Sequence, residues 1–77
     1  MHHEGPLVLA IDQGTSSTKT VAVDSAGVIV ARGRAPLAQS SPRPGWVEHR
    51  ADDVLVSVDA AIADLGERID LSRIVAV

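Results

Sequence analysis

The order of apolar and polar positions along the chain predicts three short strands before a helix. Residues 7–11 form a continuous apolar run, which is typical of a buried strand. Residues 18–24 and 28–35 alternate with a period of two, which indicates two further strands. The sequence Asp-Ser-Ala-Gly at 24–27 has the composition of a tight turn. The three strands are therefore expected to form an antiparallel meander.

From about Ala51 the apolar period changes to three and four, which predicts an amphipathic helix. The expected apolar face comprises Leu55, Val58, Ile62, Leu65 and Ile69. Asp52 and Asp53 lie in the predicted first turn, where carboxylates complement the helix dipole, so they are interpreted as helix-start residues and not as catalytic acids. Gly66 is expected to weaken or end the helix.

The remaining segments predict a loop before the helix and a fourth strand after it. Pro36 is expected to close the third strand, and the prolines and glycine within 40–45 predict a stiff loop. The apolar run 73–77 predicts a strand that pairs beside the first strand through a helical crossover. This α/β order predicts the beginning of a ribonuclease H-like domain, the type found in actin and hexokinase. The chain is interpreted as the first part of a larger protein.

Composition narrows the possible partners. The chain has 77 residues, which is at most one small domain of marginal independent stability. Its formal net charge of −3 gives no electrostatic footprint for nucleic acid or an anionic membrane. There is no cysteine, and the longest apolar run is too short to span a bilayer. We therefore expect a cytoplasmic protein with neither nucleic-acid nor membrane partners. Residues 1–6 are expected to be a disordered terminus, and metal binding by His2 and His3 is not expected.

Candidate chemistry is concentrated directly after the first apolar run. The run leads to Asp12 at its carboxyl end, while Gly14 would let backbone N–H groups approach a ligand closely. Lys19 supplies a positive charge. Neutral hydrogen-bond donors are available from Thr15, Ser16, Ser17 and Thr18. An ordinary hairpin turn would use the same residue types for conformational reasons, so these residues alone leave a phosphate site and a plain turn as alternatives.

Three segments together resemble the amino-terminal end of the FGGY carbohydrate kinases, with the closest match to the glycerol kinases. They are Asp12–Lys19 (DQGTSSTK), Val23–Gly27 (VDSAG) and Pro44–His49 (PGWVEH), and the likeness extends over 7–77. The resemblance implies transfer of the γ-phosphoryl group of ATP, with Mg²⁺, to a small polyol. Glycerol is preferred to a pentulose such as xylulose. The other alternative is a non-catalytic ATP-binding module of the actin and chaperone superfamily, which would lack the Pro44–His49 segment.

The resemblance also implies roles for individual residues. Asp12 would orient Mg²⁺ through water, and Thr15 would contact the transferred or β/γ phosphate. The remaining phosphate contacts are expected from Gly14, Ser16, Ser17 and Lys19. Glycerol kinases usually carry arginine where this chain has Lys19, and lysine is common in relatives that act on pentuloses, so the substrate stays open. A lysine gives a point charge without the bidentate fork of arginine.

By the same resemblance, the general base and most of the polyol pocket lie beyond Val77. The 77-residue chain alone is therefore expected to be inactive, and the full-length enzyme is expected to be a homo-oligomer. Trp46 is the only aromatic residue, and packing against the core is favoured over stacking on a sugar. Glu48 and His49 mark the family resemblance and are assigned no chemistry.

Overall fold

The computed structural model describes residues 5–37 and 51–77. Its elements are β1 (Leu7–Gln13), β2 (Ser17–Val23), β3 (Ile29–Pro36), α1 (Ala51–Gly66), a short 3-10 helix (Leu71–Arg73) and β4 (Ile74–Ala76). Predictions that concern 38–50, including the Pro44–His49 segment and the stiff loop, lie outside the described residues, as does most of the predicted disordered terminus. Within the two described ranges, no helix has the length and apolar character needed to cross a membrane.

The four strands form one sheet in the order β3-β2-β1-β4. β1 and β2 are antiparallel, as are β2 and β3, so the predicted meander is confirmed. β4 follows the helix along the chain and pairs with β1 in parallel orientation. The predicted α/β arrangement of three antiparallel strands, a helix and a further strand beside the first is therefore present.

The turn between β2 and β3 is built around one carboxylate. Asp24 Oδ1 accepts hydrogen bonds from the N–H groups of Ala26 and Val28, both at 2.9 Å. The N–H group of Gly27 donates to the Asp24 carbonyl at 3.0 Å. Gly27 has φ 81°, a conformation that costs little only for glycine. The predicted turn at 24–27 is confirmed, and its sequence is explained by these contacts.

Helix α1 covers one face of the sheet. The buried core comprises Leu7, Leu9, Ala22 and Leu65, with Val30, Ala31, Ile62, Ile69 and Ile74 packed against it. Side chains alternate across a strand, so the positions between the core residues lie on the opposite face. That second face carries Val8, which is largely exposed, and also Asp12 and Lys19. The sheet therefore separates the apolar core from the charged positions.

Small residues allow the helix to lie close to β3. A Cβ atom added at Gly33 would lie 2.6 Å from both the Ala61 carbonyl oxygen and the Leu65 backbone nitrogen. Such distances are shorter than any real contact, so only glycine fits at this position. Ala61 and Leu65 are themselves fully buried. At Gly33 the contact between α1 and β3 is consequently backbone against backbone.

The buried face of α1 agrees with the predicted apolar face at Leu65 and at Ile62, which packs against the core, and differs from it at Leu55. The buried helix residues are Ser57, Ala61 and Leu65. Leu55 was expected on the apolar face, but it is 62% exposed, so that prediction is wrong. Ile69 lies beyond the helix, which ends at Gly66 as expected. The buried positions Ser57 and Ala61 carry small side chains, and a pattern of large apolar residues does not record them.

A carboxylate on α1 also holds the edge strand. Asp64 Oδ2 accepts the N–H group of Arg34 at 2.9 Å, and Asp64 Oδ1 lies 3.0 Å from Arg68 Nη1. The Arg34 hydrogen bond, and then the contacts with Arg68, lower the pKa of the Asp64 carboxyl. Asp64 therefore carries its charge at neutral pH and joins the helix to β3.

The end of the chain forms less strand than the apolar run 73–77 predicts. Leu71–Arg73 is a 3-10 helix, and β4 begins only at Ile74. Asp70 starts this short helix, because its Oδ1 accepts the Ser72 N–H group at 3.0 Å and the Ser72 hydroxyl at 2.7 Å. Local side-chain capping thus competes with strand formation at this point.

Candidate functional site

The turn that joins β1 to β2 is fastened at two points. The Gly14 N–H group donates to the Ser17 carbonyl at 2.9 Å, and the Leu37 N–H group donates to the Ser16 carbonyl at 3.0 Å. One hydrogen bond therefore closes the turn across itself, and the other attaches it to the residue that follows β3. Because the Gly14 amide is already bonded within the turn, other groups of the turn must supply any donors for a ligand.

Most of the predicted site residues lie together at this end of the sheet. Asp12, Gly14, Thr15, Ser16 and Lys19 are exposed. Ser17 is only 8% exposed, at the start of β2, so it has the least access to a ligand. Gly14 does not adopt a positive φ; a Cβ atom there would instead lie 3.3 Å from the Ser17 carbonyl oxygen. A small residue at 14 therefore serves the close approach across the turn.

Charged residues form a row across three strands beside the turn. Asp12 is the register partner of Lys19, and Lys19 is in turn the register partner of Arg34. Directly opposite residues of antiparallel strands have Cβ atoms about 5 Å apart, so the three side chains are neighbours on the face that α1 does not cover. Within the described residues the ion pair closer than 4.0 Å joins Arg68 and Asp64, so Asp12 and Lys19 lie opposite each other without forming a direct ion pair of that length. Both side chains are exposed.

Arg34 was not identified as a candidate from the sequence. The period-two pattern of β3 places it on the same strand face as Arg32, but the pattern does not show which residue of β2 lies opposite. That register depends on the turn at 24–27 and on an irregularity between Ala22 and Val23. A second cation beside Lys19 is thus a consequence of strand pairing.

Asp12 suits a Mg²⁺ ion that is held mainly by water and phosphate. Within the described residues no group of three His, Cys, Asp or Glu side chains could hold a metal ion by itself. Mg²⁺ usually keeps several waters and binds through one or two carboxylates together with substrate phosphates. A single exposed carboxylate beside a polar turn fits this mode, and it does not fit a metal site made of protein ligands alone.

Thr18 has a different role from the one its hydroxyl suggested. Its side chain is fully buried, and Thr18 Oγ1 lies 2.9 Å from Gln13 Oε1 and 2.8 Å from Ser57 Oγ. The hydroxyl faces the helix and is already engaged, so the expectation that it would be a phosphate donor is wrong. Ser57 was missed altogether, because the search for an apolar helix face passes over a buried serine.

Comparison with models of known protein families shows which family this chain belongs to. The model for the N-terminal domain of the FGGY family of carbohydrate kinases matches residues 7–77. The chain belongs to this family. The resemblance carried by the Asp12–Lys19 and Pro44–His49 segments is thereby confirmed. In this FGGY chain the predicted phosphate-site residues lie at one turn, and Asp12 and Arg34 are the cross-strand neighbours of Lys19.

Relatives of this FGGY chain are much longer than the chain itself. It is 46% identical over 71 residues to a glycerol kinase of Stenotrophomonas maltophilia, which covers 90% of the chain and 14% of the relative. Glycerol kinase 1 of Streptomyces avermitilis is 38% identical over 72 residues, with coverage of 94% and 14%. A crystal structure of a xyloylose kinase from Brucella ovis superimposes with a TM-score of 0.72 at 31% identity, covering 79% of this chain and 13% of that one. The FGGY chain thus spans about one seventh of these relatives.

Proposed function

We propose that this chain supplies the phosphate-binding turn of a kinase that transfers the γ-phosphoryl group of ATP to a hydroxyl of a small polyol, with glycerol 3-phosphate as the product. The observation that carries the proposal is the row of Asp12, Lys19 and Arg34 beside an exposed hydroxyl-bearing turn in an FGGY chain. Phosphoryl transfer needs mainly positioning and charge stabilisation, which are the properties that such a row and turn offer.

Individual residues have defined parts in this proposal. Asp12 would orient Mg²⁺ through water, and Thr15 would contact the transferred or β/γ phosphate. Gly14, Ser16 and Ser17 would complete the turn, and Lys19 would contact nucleotide phosphate. When bound, Mg²⁺ would supply neutralisation of phosphate charge. By family resemblance, the general base and most of the polyol pocket belong to sequence beyond Val77.

Glycerol is the preferred substrate, and a pentulose such as xylulose is the alternative. Glycerol is supported by the two relatives above, which are named glycerol kinases and are 46% and 38% identical to this chain. Lys19 and the xyloylose kinase neighbour, at 31% identity, favour the alternative. An ADP-release assay of the full-length protein with glycerol, xylulose, ribulose and gluconate separates them, because the correct substrate should give the highest kcat/KM. Cytoplasmic location and a homo-oligomeric full-length enzyme stay predictions.

Asp12→Asn tests the catalytic part of the proposal. In the full-length protein this change should lower kcat by about a hundredfold or more, because correct placement of a metal ion contributes several kcal/mol to charge stabilisation in the transition state. Folding should be preserved, since Asp12 is exposed and the amide keeps the shape of the carboxylate. The measurement is steady-state ADP release together with circular dichroism of the variant.

Asp24→Asn is the matched control for the same chemical change. It lies at the opposite end of β2, and its amide oxygen can still accept the N–H groups of Ala26 and Val28. This control should keep kcat within about twofold of the wild type, as expected for a substitution without a buried charge. Wild-type turnover by Asp12→Asn would exclude the metal-orienting role.

A further inference from the structure

A chain of side-chain hydrogen bonds, one buried and two part-buried, runs from α1 to the base of the turn. Ser57 Oγ lies 2.8 Å from Thr18 Oγ1 and 3.0 Å from the Pro36 carbonyl oxygen. Thr18 Oγ1 continues to Gln13 Oε1 at 2.9 Å. Thr18 is fully buried and Ser57 is 2% exposed, so the contacts at the helix are shielded from water. Ser57 has a single hydroxyl proton for two acceptors, so the group is fully engaged.

These contacts join both sides of the phosphate turn to the helix. Gln13 and Thr18 are register partners, and they are the last pair of the β1–β2 ladder before the turn. Pro36 is the last residue of β3, and the next residue, Leu37, donates its N–H group to the Ser16 carbonyl within the turn. Ser57 is therefore hydrogen-bonded to Thr18, at the base of the turn, and to the carbonyl of Pro36, which precedes Leu37.

We infer that Ser57 and Thr18 are positioning residues that fix the turn 14–17 relative to α1. The inference rests on the proposed function, because it assigns to these two hydroxyls the alignment of groups that contact nucleotide phosphate. Neither hydroxyl touches the ligand. Buried hydrogen bonds of this kind restrict a loop, and a small displacement of phosphate donors is costly in a reaction that depends on alignment.

A second threonine on the same strand provides a matched control. Thr20 is also fully buried on the face covered by α1, and its hydroxyl donates to the Ala61 carbonyl at 3.0 Å. Thr20 is two residues further from the turn than Thr18. Replacement of either threonine by valine removes a buried hydroxyl and keeps the shape of the side chain. A purely structural contribution should therefore lower the thermal midpoint at both positions, and more at Thr18, whose hydroxyl makes two of the hydrogen bonds described where that of Thr20 makes one.

The experiment compares Thr18→Val and Thr20→Val in the full-length protein. Thr18→Val should lower kcat/KM for MgATP by about tenfold or more, because misplaced phosphate contacts weaken the transition state. The KM for glycerol should change by less than about twofold. Thr20→Val should keep kcat/KM for MgATP within about twofold of the wild type, although both variants should show a decrease in the thermal midpoint.

Three further variants test whether the Thr18 hydroxyl, and not its methyl group, is required, and whether Thr18 and Ser57 act together. Thr18→Ser keeps the hydroxyl and should retain most of the activity that Thr18→Val loses. Ser57→Ala should reproduce the effect of Thr18→Val without adding volume to the buried site. The double variant Thr18→Val/Ser57→Ala should be little worse than the worse single variant, because both changes break one network.

Hydrogen exchange gives a readout that does not require catalysis. Amides of residues 14–17 should exchange faster in Thr18→Val and Ser57→Ala, and at the wild-type rate in Thr20→Val. Equal losses of kcat/KM in the two valine variants, or unchanged exchange in Ser57→Ala, would overturn the inference. If Thr18→Val does not fold, the Ser57→Ala comparison decides by itself. An inactive wild-type protein would instead refute the proposed function, while the exchange result would still test the positioning.

Discussion

Residues of the same type have different structural roles in this chain. Thr18 and Thr20 are buried and bonded toward α1, whereas Thr15 lies exposed on the turn. The two glycines at turns also differ. Gly27 needs a positive φ, while Gly14 needs only a small side chain close to the Ser17 carbonyl. The identity of a residue therefore indicates a set of roles, and its neighbours select among them.

Gly27→Ala measures the cost of the positive φ alone. Nothing lies within 4 Å of a Cβ atom built at Gly27, so no steric contact is added. Left-handed backbone geometry costs an alanine about 1–2 kcal/mol, and the free energy of unfolding should fall by that amount. Gly5→Ala is the control, because it also has open space and needs no positive φ. Chemical denaturation of the two variants should show a loss only at position 27.

The elements are held together by a close helix–strand contact and by polar links along it. Thr20 bonds the Ala61 carbonyl, and Asp64 bonds the backbone of Arg34. Ser57, in the N-terminal half of the helix, continues the series with its hydrogen bond to Thr18. The helix is therefore attached to β2 and β3 at successive turns, which makes its position relevant to the site.

Gly33→Ala should disrupt this helix–strand contact. The new Cβ atom would lie 2.6 Å from two backbone atoms of α1, neither of which can rotate away. Overpacking of this kind costs about 1–3 kcal/mol, and here we expect the upper end or more. The thermal midpoint of Gly33→Ala should fall further than that of Gly27→Ala. A smaller loss at position 33 would show that α1 can move away from β3 at little cost.

At the scale of the whole molecule, the two faces of the sheet have different surroundings. The sheet buries one face under α1, while the face with Asp12, Lys19 and Arg34 is open within the described residues. Its relatives are about seven times as long, since the chain spans 14% of the glycerol kinases compared above. In the proposed function, the turn 14–17 would contact nucleotide phosphate, and the groups that activate the substrate hydroxyl would come from sequence beyond Val77.

The 77-residue chain by itself should not phosphorylate glycerol. Purified chain, MgATP and glycerol should release ADP no faster than buffer, because general-base catalysis is expected to come from residues beyond Val77. The full-length protein, measured at the same molar concentration, is the positive control. Glycerol-dependent ADP release by the purified chain would contradict the assignment of the base to later sequence.

Local patterns predicted much of this fold. The period-two segments gave the three strands, the residues of the turn at 24–27 were correctly placed, and Gly66 ended the helix as expected. Prediction failed at Leu55 and at Thr18 for one shared reason. Both depend on which face of an element packs against a distant one, and a local pattern does not contain that information.

The sequence by itself determined the order of the elements, the concentration of polar residues at 12–19 and the membership of the FGGY family, because these depend on local spacing and on motifs. Tertiary structure alone decided that Arg34 lies beside Lys19 and that Ser57 is hydrogen-bonded to Thr18 at the base of the turn 14–17. Strand register and helix docking bring together residues far apart in the chain, and their energies come from contacts that no local pattern contains.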